Sequence, residues 1–132
     1  MSYFDRELIT DTHVRDISDR ESIDGQLAAL DDEIRIVCIA RGVSVSEIPV
    51  DENGKVTSSA LKRYAAFWLY FTILHDYWGS SGMDTGVVDD IYKQKLAYYE
   101  TKMNQAKNDL TAENIIGEPL DQASFIKQVP VF

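Results

Sequence analysis

One cysteine, two histidines and three prolines are all this chain contains of those residues, and each scarcity closes off a class of protein. Cys38 alone can form neither an internal disulfide nor a thiolate metal cluster. Flanked by Val37 and Ile39, it is expected as a packed thiol rather than a reactive or metal-binding one. There is no glycine-rich phosphate loop, no G-x-S-x-G nucleophile elbow, no internal repeat and no low-complexity segment. The longest uncharged apolar stretch, Tyr64 to His75, is bounded by Arg63 and Asp76 and falls well short of the ~20 residues a membrane span needs. It predicts a buried core helix. The opening Met1-Ser2-Tyr3-Phe4-Asp5-Arg6-Glu7 has no basic segment leading into an apolar core, so neither a secretory signal nor a lipidation site is expected, and the protein is expected to remain in the cytoplasm where it is made.

Basic residues are also scarce. Asp and Glu number 22 against 13 Lys and Arg, a net charge of -9, which argues against a general basic surface that wraps nucleic acid. Closeness to DNA without grip is still compatible with that balance: an acidic wall repels the phosphates that a basic wall would hold.

The 132 residues, 45% hydrophobic and 27% charged, fit one ordinary globular domain. A domain of this size buries roughly two-thirds of its unfolded surface and needs no covalent staple. After a mixed, charged start, a short helix is expected near Thr12 to Ile17, with Thr10 or Thr12 as its cap. From Ser22, a candidate cap, the positions Leu27, Leu30, Ile34, Val37 or Cys38, and Arg41 recur at spacings of three and four, one stripe along a helix that Gly42 stops. Asp31, Asp32, Glu33 and Arg35 fall between stripe positions and are expected on its wet face.

Residues 43 to 57 break helicity with Pro49 and with Asn53-Gly54, a dipeptide suited to a tight type I′ turn between Val50 and Val56, so a short hairpin or ordered loop is expected. Thr57, Ser58 and Ser59 are capping candidates for a helix from Ala60 to about Trp78 that is apolar on nearly every face and so has to be surrounded by protein. Gly79-Ser80-Ser81-Gly82 predicts a flexible break. Asp84 or Thr85 then caps a third long helix to about Leu110, on which Val88, Tyr92, Leu96, Tyr99, Met103, Ala106 and Leu110 form one continuous face and Lys93, Lys95, Glu100, Lys102 and Lys107 the opposite one. Thr111 caps a brief turn, Ala112 to Ile116, which Gly117 and Pro119 end. The expected fold class is all-α: a small helical bundle over 1–117 with a short hairpin or loop excursion, and an extended C-terminal arm over 118–132.

Four constellations invite a chemical reading, and each has a plainer one. His75-Asp76 is similar to the pair of the metal-dependent HD hydrolases, but only His13 remains as a second histidine, and a core or interface histidine is the simpler expectation. Asp51-Glu52-Asn53-Gly54 starts like a calcium loop, but the position that should close it with Glu is Lys62, which leaves a turn. Asp31-Asp32-Glu33 and Asp89-Asp90 are adjacent charges that point in different directions on a helix, hence a solvated face rather than a metal cage. The aromatics Tyr64, Phe67, Trp68, Tyr70, Phe71, Tyr77 and Trp78 are expected as core rather than as a ligand box. No catalytic residue, metal site or cofactor is expected.

The strings Leu61-Lys62-Arg63-Tyr64-Ala65-Ala66, Asp90-Ile91-Tyr92-Lys93-Gln94-Lys95-Leu96-Ala97-Tyr98-Tyr99 and Leu110-Thr111-Ala112-Glu113-Asn114-Ile115 resemble the head-to-tail connector, or adaptor, proteins of tailed phages. The resemblance covers roughly residues 22–117. It implies a non-enzymatic ring, dodecameric in that family, in the neck of a virion assembled in the host cytoplasm. Such a ring docks on the portal protein, extends the channel for double-stranded DNA without binding it tightly, and receives the next neck, stopper or tail protein; no membrane is involved. On that reading the aperiodic apolar tail supplies portal-binding anchors in Phe125, Ile126, Val129, Val131 and Phe132, Trp68, Tyr70 and Trp78 lie in the core or in subunit contacts, and Val45 to Val56 forms a β excursion at the rim. Two other classes compete. An acidic helical binding module, such as an inhibitor or immunity-type DNA mimic, would gather its carboxylates on one convex face; a metal-dependent hydrolase would be built on His75 and Asp76.

Overall fold

The computed structural model describes residues 2–81 and 86–117, apart from the side chains of residues 78–81 and 86–92. Five α-helices lie within them: α1 (Thr12–Arg20), α2 (Asp24–Ala40), α3 (Ser59–Ser81), α4 (Gly86–Asp109) and α5 (Ala112–Ile116), with 3-10 turns at Arg6–Leu8 and Val45–Glu47. The all-α expectation holds for this part of the chain. The expected arm, the caps Asp84 and Thr85, and the side chains of Trp78, Val88, Asp89, Asp90 and Tyr92 lie outside what is described.

The near-continuous apolarity of α3 is satisfied as it must be, by neighbours on several sides. It packs most extensively against α4, and against α2, α1 and α5 around the rest of its circumference. Leu61, Tyr64, Ala65, Leu69, Tyr70, Ile73 and Leu74 are buried along it, with Phe67, Trp68 and Phe71 half-buried at its margins. Ser58 starts the helix, its hydroxyl accepting the Leu61 N–H at 3.3 Å. The helix does not break at Gly79 as expected but continues to Ser81.

On α2 the stripe is as read: Leu27, Leu30, Ile34, Val37 and Cys38 are buried. Its stop is a Schellman motif. Gly42 sits at φ +85, its N–H reaches the Ile39 carbonyl at 3.0 Å, and the Val43 N–H reaches Cys38 at 2.8 Å. Its start differs from expectation. Ile23, buried in the core, occupies the cap position with no side-chain hydrogen bond, and Ser22 lies a step outside with its hydroxyl 3.4 Å from the Asp24 N–H. Anchoring of Ile23 sets the boundary that capping chemistry would have placed one residue earlier. For α1 the cap is Asp11 rather than Thr10 or Thr12, and the helix extends past Ile17 to Arg20. A carboxylate takes two N–H groups, those of His13 and Val14, and also complements the positive helix start.

The segment from Val43 to Thr57 is an ordered loop with a single antiparallel bridge, Val50 to Val56, and no strand among the described residues. Its turn is not type I′. That geometry needs positive φ at both central residues, and only Gly54 has it, at +79. Instead the Gly54 N–H bonds the Asp51 carbonyl, the Asp51 N–H bonds the Lys55 carbonyl, and the Asp51 carboxylate accepts the N–H groups of Asn53 and Lys55. This is the three-residue loop in which a turn is followed by a left-handed glycine. Val43, Ile48 and Val56 plug it into the core.

Thr111 caps α5 as expected, in a reciprocal box with Asn114. Before α1, Phe4 and Ile9 are buried too. The Tyr3 N–H donates to the Asp31 carboxylate at 2.9 Å, and this contact draws Asp31 inward, to 7% exposure. The wet-face expectation therefore fails for Asp31. It fails for Glu33 as well, which is half-buried and accepts the Tyr64 hydroxyl at 2.5 Å. Asp32 is exposed as expected.

Candidate functional site

The densest polar arrangement joins α1 to α4 and α3. Asp11 receives the Tyr99 hydroxyl and the Lys95 ammonium, the latter at 3.0 and 3.2 Å, in addition to its two cap bonds. Lys95 was expected on the solvated side of its helix, and this carboxylate turns it partly inward. Beside it the Tyr70 hydroxyl accepts the Thr10 N–H at 3.0 Å, and the rings of Phe67, Tyr70 and Tyr99 pack with centroids 5.1 to 6.1 Å apart. Burial alone would raise the Asp11 pKa. The bonds from Tyr99, the Val14 N–H and Lys95 more than offset it and leave the carboxyl at about 2. Tyr99 is pushed up, by burial first and then by its bond to Asp11. His13 is pushed down, chiefly by burial and by the Lys95 charge. These shifts keep the Asp11 carboxylate charged and the Tyr99 hydroxyl protonated near neutrality. Their bonds fasten α1 to α4.

A second fastening closes the other end of the bundle. Arg41, the last residue of the α2 stripe, donates from Nε to the Leu110 carbonyl at 2.9 Å and from Nη2 to the Lys107 carbonyl at 2.8 Å. These carbonyls lie at the C-terminal end of α4, and that of Lys107 also accepts the Leu110 N–H at 3.2 Å. Tyr64 and Glu33 meet close by, with Lys107 at 3.8 Å from Glu33; burial and the Glu33 contact push the Tyr64 hydroxyl far above its ordinary range.

The residues singled out in the sequence are dispersed. His75 is exposed, 3.5 Å from Asp76, while Asp76 accepts Gln26 Nε2 at 3.0 Å. His13 belongs to the surroundings of Asp11 and Lys95. No group of three or more His, Cys, Asp or Glu is arranged to hold a metal among the described residues. The Asp51 carboxylate is occupied by its own loop. Tyr70 is buried and Trp68 half-buried against the core, whereas Phe125, Ile126, Val129, Val131 and Phe132 lie outside the described residues. No described helix is long and apolar enough to cross a membrane.

Open clefts lie on the surface of the described residues. One of about 520 Å³ lies between Pro49, Ala60 and Ile116, one of about 470 Å³ between Phe4, Lys55 and Lys62, and one of about 170 Å³ between Ile17, Ile73 and Tyr77. None gathers a nucleophile, a base and an oxyanion donor of the kind acyl or phosphoryl chemistry requires. Exposed large apolar residues are the more informative surface feature: Ile36, Ile39, Val45, Val50, Tyr98 and Ile116. Two of them, Ile36 and Ile39, are one turn apart on the outer face of α2. Periodicity reading missed them because it looks for the strongest stripe, and α2 carries a second one. No protein-family model, curated protein or solved structure matches this chain.

Proposed function

We propose that this chain is a structural subunit of a tailed-phage neck, a ring-forming head-to-tail adaptor that docks on the portal and extends the DNA channel to the next neck or tail protein. The reading rests on the sequence resemblance over residues 22–117. The observation that carries it furthest is the outward display of Ile36, Ile39 and Tyr98 on helices whose opposite faces already fill the core. Apolar side chains placed so are what a subunit presents to a neighbour. The net charge of -9 supports a conduit that DNA traverses without adhering. In this reading residues 118–132 form the arm, with Phe125, Ile126, Val129, Val131 and Phe132 as portal anchors, and the loop through Val50 and Val56 sits at the rim.

Two observations weigh against the acidic DNA mimic. Such a protein needs rows of unneutralised carboxylates, and here Asp19 pairs with Arg6, Asp16 with Arg20 and Asp32 with Arg35 across the acidic N-terminal half. Asp31, moreover, is turned inward. The test is the mass of the purified protein by light scattering, alone and mixed with the portal from the same genome. Assembly onto the portal that deletion of residues 120–132 abolishes is the expected result. A monomer indifferent to the portal overturns the adaptor reading, and tight binding of duplex DNA at physiological salt overturns the acidic channel.

A further inference from the structure

At the tip of the loop between α2 and α3, Asn53 is exposed and is followed by Gly54. Among the described residues its carboxamide has no hydrogen-bond partner. An asparagine placed so has a reactive neighbour in its own backbone. The nitrogen of the next residue can close a five-membered ring on the side-chain carbonyl carbon, and a glycine there has no Cβ to crowd the approach. The Gly54 nitrogen loses its proton to a base in solvent and bonds to Asn53 Cγ. The Cγ–Nδ2 bond breaks, and the amide group takes up a proton and leaves as ammonia. The cyclic imide then adds one water. Opening at Cγ leaves an aspartyl residue at position 53; opening at the backbone carbonyl leaves an isoaspartyl one, whose main chain runs through the former side chain and is one carbon longer. The sum consumes one water and releases one ammonia.

Position separates Asn53 from the other three asparagines. Asn104 and Asn108 lie inside α4 and Asn114 inside α5, where the helical backbone turns the next nitrogen away from the side chain. The residues that follow them, Gln105, Asp109 and Ile115, also carry side chains. Asn114 is held further, its Oδ1 accepting the Thr111 N–H and its Nδ2 donating to the Asp109 carbonyl, both at 2.8 Å. What restrains Asn53 is local. The Gly54 N–H donates to the Asp51 carbonyl at 3.0 Å, and the Asn53 N–H to the Asp51 carboxylate at 2.8 Å. Asp51, Glu52 and Asn53 are all exposed, so the attacking nitrogen is freed by opening a few residues of the turn, without unfolding the domain.

We infer that Asn53 is a site of spontaneous deamidation in the folded protein, and that its isoaspartyl product loosens the N-terminal segment which the same loop holds. The link is short. Lys55 Nζ donates to the Ser2 carbonyl at 2.9 Å and the Val56 N–H to the Tyr3 carbonyl at 3.2 Å, while the Tyr3 N–H donates to Asp31. The Asp51 N–H and the Lys55 carbonyl close the turn at 2.8 Å. A main-chain carbon added inside that closure displaces Lys55 and Val56, and the new carboxylate places another negative charge beside Asp51 and Glu52. The inference goes beyond the neck reading and holds whether or not the chain forms a ring.

The test uses the full chain, kept folded at mildly alkaline pH and sampled over days by peptide mapping. The peptide with Asn53 should convert to two products of the deamidated mass, while Asn104, Asn108 and Asn114 keep their amides. Asn53→Gln, whose carbonyl carbon lies one atom further out, should show no conversion at that position. Asp51→Ala, which removes the carboxylate that gathers the turn, should speed conversion severalfold. An intact Asn53 in native buffer, with conversion only in the urea-unfolded chain, would overturn the inference. So would conversion of Asn108 or Asn114 as fast as that of Asn53. For the second half, the Val56 amide should exchange its hydrogen roughly tenfold faster in the isolated isoaspartyl form than in fresh protein, with the core amides of α3 unchanged. Equal exchange at Val56 would overturn the coupling to the N-terminal segment.

Discussion

Replacing Asp11 by Asn tests whether the α1 to α4 fastening depends on charge or only on shape. Asn still caps a helix well, so the bonds to the His13 and Val14 N–H groups survive the exchange. What changes is the second oxygen, which accepts from Tyr99 and Lys95; an amide NH2 there would oppose two donors. The carboxyl is held at about 2 against an ordinary 3.8, which by linkage corresponds to about 2 kcal/mol of stability at neutral pH. The folded pKa is the lower one, so this stability is fully present above the unfolded value. It drains away as pH falls from about 4 towards about 2. Urea unfolding followed by circular dichroism should therefore place Asp11→Asn about 2 kcal/mol below the native chain at neutral pH, a fall of roughly 7 °C in Tm. The gap should close as the acid limb is descended. A gap under about 0.5 kcal/mol at neutral pH, or one that does not change with pH, would refute the charge-based account.

Three further outcomes follow from single contacts. Arg41→Met keeps the aliphatic stem but removes the donor to the Leu110 carbonyl and one of the two donors to that of Lys107, and should cost about 1 kcal/mol in the same urea assay. Tyr64→Phe leaves the half-buried Glu33 carboxylate short of a donor and should cost about 1 to 2 kcal/mol; an unchanged midpoint would mean that Lys107 or water replaces the hydroxyl. Cys38 is fully buried and burial raises its thiol to about 11, so alkylation at neutral pH should be negligible in the folded protein and appear only across the urea transition.

Backbone-local features were largely legible. The stop of α2 at Gly42 and the cap of α5 at Thr111 depend on chemistry within a few residues, and so does the Asp51 to Lys55 turn, of which only the type differed. Starts were harder where packing competes with capping, as Ile23 shows in preference to Ser22. The polar fastenings were illegible for a simple reason: Asp11 is 84 residues from Lys95 and 88 from Tyr99, and no local pattern connects them. Asp31 and Glu33 were misplaced for the same reason, since their partners Tyr3 and Tyr64 arrive from other elements. The outer pair Ile36 and Ile39 on α2 was visible in principle, overshadowed by the stronger stripe behind it.

By itself, the sequence determined the helical class, the three long helices and which face of α2 and of the described part of α4 turns inward, because a period of 3.6 and the cost of wetting apolar surface act residue by residue along the chain. Only the tertiary structure decided which helices surround α3, that Arg41 closes the end of α4, and that carboxylates at 11, 31 and 33 face partners instead of water. Each of those outcomes depends on groups distant in sequence meeting at hydrogen-bond range, and a buried polar group takes whatever partner the packing brings to it.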